Sequence, residues 1–139
     1  MIILDTNVIS ELMRSRPDAA VVAWSSAQAR SLLCTTSINK AEILYGIAVL
    51  PDGRRRRGLA AAAEAMFSED LAGRVLPFDE TAAAHCAGIV ASRRGSGMPI
   101  EAFDAQIAAI AIAAGADIAT RDIAGFAHCG VAVINPWAE

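Results

Sequence analysis

Four acidic residues, Asp5, Glu42, Asp104 and Asp122, stand far apart along the chain, and each lies where an apolar segment ends or a helix begins. Asp5 directly follows the apolar residues 1–4, so we expect it at the carboxyl end of a first strand, where parallel sheets bind ligands. Two carboxylates about 4 Å apart repel by roughly 4 kcal/mol at an effective dielectric near 20, and a divalent cation relieves that repulsion. An all-oxygen ligand set favours hard ions such as Mg²⁺ or Mn²⁺ over Zn²⁺.

The chemistry expected of such a site is metal-assisted hydrolysis. A Mg²⁺ ion held by a few carboxylates and waters lowers the pKa of a bound water and neutralises charge that develops on a phosphodiester. No protein nucleophile is then required, and the sequence offers no Ser-His-Asp or Cys-His arrangement. Cys34, Cys86 and Cys129 have no C-x-x-C spacing, so we expect small buried hydrophobes rather than a disulfide framework or a zinc site. His85 and His128 are expected to be packed or surface residues.

Size and composition indicate one domain that spans residues 1–139. A chain of 139 residues and 14.5 kDa is long enough to bury about two-thirds of its unfolded surface. The hydrophobic fraction is 55%, but the longest apolar stretch, residues 107–114, is too short to span a bilayer. No basic region precedes the first apolar run, so no signal peptide is expected, and the predicted location is the bacterial cytoplasm without membrane attachment.

The charge pattern argues against a generally basic nucleic-acid binder, because the net charge is −3 and the pI is near 5.3. The cations are nonetheless concentrated, and the longest run comprises Arg54, Arg55, Arg56 and Arg57. Arginine presents a planar fork that suits phosphate. The run is therefore either a solvated helix face or a weak candidate, together with Arg121, for binding RNA.

The elements that must position the acids alternate along the chain. Apolar and β-branched runs predict strands at 2–5, 32–36, 74–78, 118–120 and 131–134. Helical periodicity and capping signals predict helices at about 7–13, 17–28, 38–49, 54–67, 80–95 and 99–114. Pro17 is expected in the first turn of the second helix, Ser37 and Asp79 as N-caps, and Gly115 as a C-terminal glycine. This order predicts an α/β fold with a mostly parallel central sheet of about five strands flanked by helices.

The last predicted helix carries an apolar stripe that we expect to face the core, comprising Ile100, Phe103, Ile107, Ile110 and Ala114. Asp104 lies beside this stripe, in line with the small residues Ala108 and Ala111. A carboxylate at the edge of a buried face is poorly explained as a surface charge, so Asp104 is a strong candidate for the metal site.

Five segments, in the expected order, resemble the PIN-domain ribonucleases. They are MIILDTNVISE at 1–11, TTS at 35–37 leading into AEILYG at 41–46, FDAQIA at 103–108, TRD at 120–122 and VINPW at 133–137. More narrowly, the chain is similar to the toxin subunits of VapBC-type toxin–antitoxin systems, in the branch that includes FitB-like proteins. The resemblance covers essentially the whole chain.

The resemblance implies a Mg²⁺-dependent endoribonuclease, with Mn²⁺ as a possible substitute, that cleaves RNA and is neutralised by a cognate small antitoxin. A homodimer that forms a hetero-oligomer with the antitoxin is also implied. Asp5 and Asp104 match positions credited with binding Mg²⁺, while Glu42 and Asp122 match the third and fourth acidic positions and are further candidates for metal binding.

The supporting residues implied by the resemblance are Thr6 and Asn7, which would order the turn at Asp5, and Ser37, which matches a small hydroxyl residue of the site. Turn and capping hydrogen bonds are an equally good explanation for all three. Many relatives have asparagine at the position of Asp122 and an aspartate three residues later, where this chain has Gly125. Because of this departure, the sequence does not decide whether the site binds one metal ion or two.

Two other functions are compatible with parts of the sequence. A PIN scaffold with weak catalysis could bind protein or nucleic acid, although the presence of all four acids argues against it. A phosphatase with an aspartyl nucleophile at Asp5 is less favoured, because Asn7 occupies the place of the expected second aspartate. Cleavage of RNA that depends on metal and on the acids distinguishes these possibilities.

Overall fold

The computed structural model describes residues 1–138 and contains a five-stranded sheet flanked by helices. The strands are β1 (Ile2–Leu4), β2 (Leu33–Thr36), β3 (Val75–Leu76), β4 (Asp117–Ala119) and β5 (Val133–Ile134). The helices are α1 (Thr6–Leu12), α2 (Ala19–Ala27), α3 (Ser37–Ala48), α4 (Arg54–Ala65), α5 (Glu80–Gly95) and α6 (Ala102–Ala114). The predicted α/β fold is confirmed.

The sheet has the order β3-β2-β1-β4-β5, and all its strand pairs are parallel. The chain leaves β1 toward one edge through β2 and β3 and then returns to the other side through β4 and β5. The strand order therefore reverses beside β1. In open parallel sheets, the crevice outside the carboxyl ends of the strands at such a reversal is where ligands bind.

Side chains of the central strands alternate between two apolar layers. Ile3 faces Cys34 and Ile118 in register and lies in the core that the buried residues of α5 and α6 complete. Ile2 and Leu4 point the other way, into a second core with residues of α1, α2 and α3. Because both faces of β1 are covered, the strand is apolar throughout and its first polar residue, Asp5, falls at its end.

The structure corrects the predicted starts of α2, α3 and α6, the last of which begins at Ala102 rather than at residue 99. Helix α2 begins at Ala19 after the N-cap Asp18, whose carboxylate accepts from the Ala20 N–H, so Pro17 lies before the helix. Helix α3 has Thr36 rather than Ser37 as its N-cap, with the Thr36 hydroxyl accepting from the Asn39 N–H. Strand β2 runs directly into α3, and its last residue is therefore already extended, as an N-cap must be.

Three further expectations fail in detail. Helix α4 ends at Ala65, and a π-helical turn at Met66–Asp70 follows it. Strand β5 begins at Val133 rather than at residue 131. Phe103 is 47% exposed instead of facing the core, because the first turn of α6 borders the ligand-binding end of the sheet and burial begins at Ala105.

Other local predictions are confirmed. Asp79 caps α5 by accepting from the Ala82 N–H, and Gly115 ends α6 in the left-handed region at φ 65°. Cys34 and Cys129 are buried, whereas Cys86 is only partly so, and both histidines are exposed. None of the helices within residues 1–138 is both long and apolar enough to cross a bilayer.

Candidate active site

Asp5 lies at the carboxyl end of β1 and is only 6% exposed. Its Oδ1 accepts from the Thr6 N–H at 2.8 Å, which caps α1, and from Asn39 Nδ2 at 3.0 Å. Its Oδ2 accepts from the Thr120 hydroxyl at 2.7 Å. A carboxylate has about four lone-pair positions, so these three donors fix the group and leave room for another ligand.

The donors to Asp5 are themselves held by further hydrogen bonds. Asn39, fully buried in α3, accepts from the Thr36 hydroxyl at 2.7 Å and donates to the Thr6 hydroxyl at 3.0 Å. The Thr6 hydroxyl then donates to Glu42 Oε1 at 3.0 Å. Glu42, predicted as the third acid, is thus connected to Asp5 through Thr6 and Asn39.

A second set of hydrogen bonds reaches Asp5 from β4. The Thr120 hydroxyl accepts from Asn7 Nδ2 at 3.1 Å and from the Asp122 N–H at 3.0 Å. Asn7 Oδ1 also accepts from the Arg121 N–H at 3.2 Å. Asn7 therefore joins the end of β1 to the end of β4, while Thr6 joins the end of β1 to α3.

Asn39 and Thr120 were not predicted from the sequence. Thr120 is the last residue of the predicted strand 118–120 and Asn39 lies in the first turn of a predicted helix, where a polar residue is readily interpreted as a turn or cap residue. Their complete burial, at 0% exposure, is what distinguishes them. Ser37, by contrast, is not among the described residues that line the cleft formed by the four acids.

Asp104 projects from the first turn of α6 toward the same end of the sheet. Burial, followed by the charges of Asp5, Glu101, Asp122 and Glu42, raises its pKa to about 6. Glu101, the residue before α6, was missed as a member of the group because its position resembles that of an ordinary N-cap. Five carboxylates therefore influence one another at this end of the sheet.

The pKa values of Asp5 and Glu42 are also raised, mainly by burial. At Asp5, the hydrogen bonds from Thr120, Thr6 and Asn39 counteract this effect by stabilising the ionised form. At Glu42, the hydrogen bond from Thr6 does the same, while Asp5 and Glu101 oppose it. The ionised carboxylates are thus held together at an electrostatic cost that a cation would reduce.

Asp122 lies in the segment after β4 and is exposed. Its Oδ1 accepts from the Gly125 N–H at 3.1 Å. A Cβ placed on Gly125 would lie 2.4 Å from Asp122 Oδ2 and 3.2 Å from Asp104 Oδ2. Both carboxylates therefore lie on the side of Gly125 where a Cβ would stand. Their Oδ2 atoms are separated by less than the sum of these two distances.

The acids form the floor of a cleft of about 810 Å³. Its described lining includes Asp5, Glu42, Glu101, Asp104 and Asp122, together with Arg14, Arg55, Arg121 and Trp137. The Arg121 guanidinium lies 4.9 Å from the centre of the Trp137 ring. Of the predicted run at 54–57, only Arg55 lines the cleft, while Arg57 pairs with Asp52 at 3.7 Å. The cleft thus has an acidic floor and a rim with three arginines.

The carboxylates of the cleft are candidate ligands for a divalent cation. Across residues 1–138, no three His, Cys, Asp or Glu side chains form a preorganised metal cage. Mg²⁺ needs no such cage, since it retains several waters and binds through one or two carboxylates and its substrate. The carboxylates of Asp122 and Asp104, which lie close together beside Gly125, are oxygen donors of the kind that Mg²⁺ binds.

A sequence model of the PIN domain family matches residues 2–130, a range that includes all four predicted acids. The chain is 45% identical over 137 residues to the VapC ribonuclease Y4jK of Sinorhizobium fredii, which covers 99% of this chain and 98% of the relative. It is 41% identical over 139 residues to Toxin FitB of Neisseria gonorrhoeae, with both chains covered completely.

Among solved structures, FitAB bound to the IR36 DNA fragment superposes with a TM-score of 0.92 at 40% sequence identity. The match covers 100% of this chain and 97% of the other. The similarity therefore includes the sheet, the helices around it and the segments that carry the acids.

Proposed function

Since this chain belongs to the PIN-domain family, in its group of VapC and FitB toxins, we propose that it is a Mg²⁺-dependent endoribonuclease. The observation that carries the proposal is the arrangement at the carboxyl ends of β1 and β4, where buried Asp5 is oriented by three donors. Asp104 shares this cleft and has its pKa raised to about 6 by burial and then by the charges of its acidic neighbours. The ribonuclease name of a 45% identical relative supports RNA as the substrate.

Asp5 and Asp104 are the residues that we propose hold Mg²⁺, with Glu42 and Asp122 as further contributors. When bound, the ion supplies an activated water and neutralises charge that develops on the phosphodiester. Mn²⁺ accepts the same oxygen ligands and is expected to replace it. Asp5 contributes a carboxylate of fixed orientation, and Glu42 contributes one whose Oε1 is held by the Thr6 hydroxyl.

The rim of the cleft suits an RNA chain that passes over the acidic floor. Arg55 and Arg121 lie in the lining contributed by α4 and by the segment after β4, so they can bind phosphates on either side of the cleaved bond. The Arg121 guanidinium rests against Trp137, which restricts its movement and reduces the entropy lost on binding. Arg54, Arg56 and Arg57 are outside this lining and are weaker candidates.

A cognate antitoxin is the proposed protein partner. The structural neighbours include toxin–antitoxin complexes, FitAB among them, some of which contain DNA. An acidic cleft would accept a cationic group of the partner, and exposed apolar side chains of α3 and its C-cap, Leu44, Tyr45 and Val49, offer contact area beside it. We propose a homodimer that binds the antitoxin and acts on RNA in the cytoplasm.

The nuclease proposal is tested with purified protein and a structured RNA, in Mg²⁺, in Mn²⁺ and with chelator. Loss of charge stabilisation worth several kcal/mol should reduce cleavage by on the order of 10²–10³-fold in Asp5→Asn and in Asp104→Asn. Asp52→Asn, an exposed aspartate outside the cleft lining, is the matched control and should cleave normally.

Three outcomes contradict the proposal in different ways. Cleavage that persists in chelator or in both active-site variants contradicts the assignment of the site. Binding of RNA without metal-dependent cleavage favours the alternative of a binding module. Release of phosphate from a monoester without cleavage of RNA favours the acidic-site phosphatase.

For the partner, co-expression with the product of the adjacent upstream gene should yield a complex, and an unassociated monomer would count against the antitoxin.

A further inference from the structure

Arg93 is an arginine of α5 that is only 8% exposed, although it does not line the acidic cleft. Its Nε donates to the Met98 carbonyl at 2.7 Å, and its Nη1 donates to the carbonyls of Gly125 and Ala127 at 3.2 and 2.8 Å. The same Nη1 lies 3.7 Å from Cys129 Sγ. Among the ion pairs of residues 1–138, none includes Arg93. This buried cation is therefore solvated by main-chain carbonyls rather than by a carboxylate.

The carbonyls that Arg93 binds belong to two segments that carry acids of the cleft. Met98 lies in the connection from α5 to α6, just before Glu101 and Asp104. Gly125 and Ala127 lie in and after the 3₁₀ turn Ala124–Phe126, which follows Asp122. An arginine fork provides several N–H donors in one plane and stays protonated when buried, so it can bind both segments at once.

Gly125 lies between Arg93 and the Asp122 carboxylate. Its carbonyl accepts from Arg93, and its N–H donates to Asp122 Oδ1. A Cβ at this position would be 2.4 Å from Asp122 Oδ2 and 2.9 Å from Asp122 Cγ, which is closer than real Cβ atoms approach. The Asp122 carboxylate thus occupies the volume that a side chain at position 125 would need.

We propose that Gly125 and Arg93 are positioning residues for Asp122. Gly125 provides the space and the N–H that hold the Asp122 carboxylate beside Asp104, and Arg93 fixes the Gly125 peptide to the segment that leads into α6. The contribution of Asp122 to metal binding rests on the proposed function, whereas the position of its carboxylate does not. A side chain at 125 and the present orientation of Asp122 are mutually exclusive.

The backbone itself does not require glycine at 125, since its φ lies outside the left-handed region. The three atoms nearest to a Cβ at this position are side-chain atoms of Asp122 and Asp104. Gly125→Ala should therefore fold normally and act through the carboxylates alone. Gly88→Ala is the matched control, because Gly88 lies on α5 with Arg93 and a Cβ there meets nothing within 4 Å.

The test measures Mn²⁺ binding by calorimetry and the melting temperature without metal, for Gly125→Ala, Asp122→Ala, the double variant and Gly88→Ala. Groups that orient metal ligands typically change metal affinity by 10–100-fold, so we expect Gly125→Ala to weaken binding about tenfold while melting no lower than wild type. In the Asp122→Ala background the same change should have a much smaller effect, since the carboxylate nearest to the new Cβ is gone and only the 3.2 Å approach to Asp104 Oδ2 remains. Gly88→Ala should bind Mn²⁺ as wild type does.

Wild-type affinity in Gly125→Ala, or an equal loss with and without the Asp122 side chain, would overturn the proposal. Crystal structures of metal-free wild type and Gly125→Ala give a readout that does not depend on the nuclease. A displaced Asp122 carboxylate in the variant supports positioning, and an unmoved one refutes it. Absence of Mn²⁺ binding by the wild type would contradict the proposed function and leave this structural comparison decisive.

Arg93 is tested with Arg93→Lys and Arg93→Met. Lysine keeps the charge but replaces the fork with a single nitrogen, so it should retain part of the Mn²⁺ affinity that methionine loses. In the Asp122→Ala background the difference between the two should largely vanish. A difference that remains undiminished there would show that Arg93 acts on folding rather than through Asp122. Should Arg93→Met fail to fold, the lysine variant with and without Asp122 decides the point.

Discussion

The acidic cleft has two halves that are built differently. In the buried half, Asp5 is 6% exposed and its two oxygens accept from Thr6, Asn39 and Thr120. In the open half, Asp122 is exposed and its carboxylate accepts from one main-chain N–H, that of Gly125. The first carboxylate is fixed by two side chains and one main-chain N–H from three parts of the chain, and the second by the conformation of a short segment.

This difference shows two ways to hold a carboxylate beside others of the same charge. In the buried half, hydrogen bonds to the ionised form oppose the effect of desolvation on the Asp5 pKa. In the open half, Asp122 is exposed to solvent, and its neighbour Asp104 has its pKa raised to about 6 by burial, followed by the charges of Asp5, Glu101, Asp122 and Glu42. The buried half thus depends on its donors, while the open half depends on its backbone.

The largest effect is expected from Thr120→Val, because the Thr120 hydroxyl joins the two halves by donating to Asp5 and accepting from the Asp122 N–H. Loss of a group that orients metal ligands should reduce metal affinity and cleavage by about 10–100-fold. The buried oxygen of Asp5 also loses a donor, which should lower the free energy of unfolding by roughly 1–3 kcal/mol. Calorimetric Mn²⁺ binding and urea unfolding measure the two effects.

Thr120→Ser is the matched control, since it keeps the hydroxyl and should retain most of the metal affinity. Thr81→Val, at an exposed position of α5, tests the effect of the same substitution outside the site. If Thr120→Val bound Mn²⁺ as tightly as Thr120→Ser, the two halves would not be coupled through this hydroxyl.

The buried half was largely predictable from the sequence, because its position follows from strand order. An apolar run that ends in Asp5, and a second that ends near Thr120, predict the carboxyl ends of two strands, and parallel pairing brings those ends together. Of its donors, Thr6 was predicted, whereas Asn39 and Thr120 were not, since a polar residue at a helix start or a strand end looks like a capping or turn residue. Only the fold shows that Asn39 is fully buried and directed at Asp5.

The open half was predictable in composition but not in geometry. Asp104 and Asp122 were recognised as acids of the site, and the structure brings both to the cleft. No periodicity indicates that Arg93, about thirty residues before the turn that it binds, fixes that turn through main-chain carbonyls. The sequence difference at Gly125 was recognised, but its meaning required the distance from its Cβ position to Asp122.

A smaller effect is expected for the pH dependence of stability in Asp104→Asn. The carboxyl pKa of Asp104 is about 6 in the folded protein against an ordinary value of 3.8, so the folded state keeps a proton that the unfolded state has lost between these pH values. The contribution of Asp104 to the free energy of unfolding therefore falls as pH rises through this interval. Asparagine carries no such penalty, and above pH 6 the metal-free variant should be more stable than wild type by roughly 1 kcal/mol after solvent screening.

Thermal unfolding of the metal-free proteins at pH 4 and pH 7.5 measures this difference. The advantage of Asp104→Asn should be absent at pH 4 and amount to a few degrees at pH 7.5. Asp52→Asn, outside the cleft lining, should show no comparable change between the two pH values. An equal advantage of Asp104→Asn at both values would mean that packing, rather than repulsion within the open half, determines the result.

The smallest effect is expected at the rim of the open half, from Arg121→Gln. Arg121 lines the cleft and stacks on Trp137, whereas Arg57 pairs with Asp52 and does not line it. In an Asp5→Asn background that does not cleave, removal of one phosphate contact should weaken RNA binding a few-fold. It should also flatten the dependence of log affinity on log salt by about 0.7 for a single strand. Arg57→Gln should leave both quantities unchanged because its guanidinium is not directed into the cleft. Equal effects of the two changes would mean that RNA is held by the general charge of the surface. The position of Arg121 at the rim of the open half would then not matter for RNA binding.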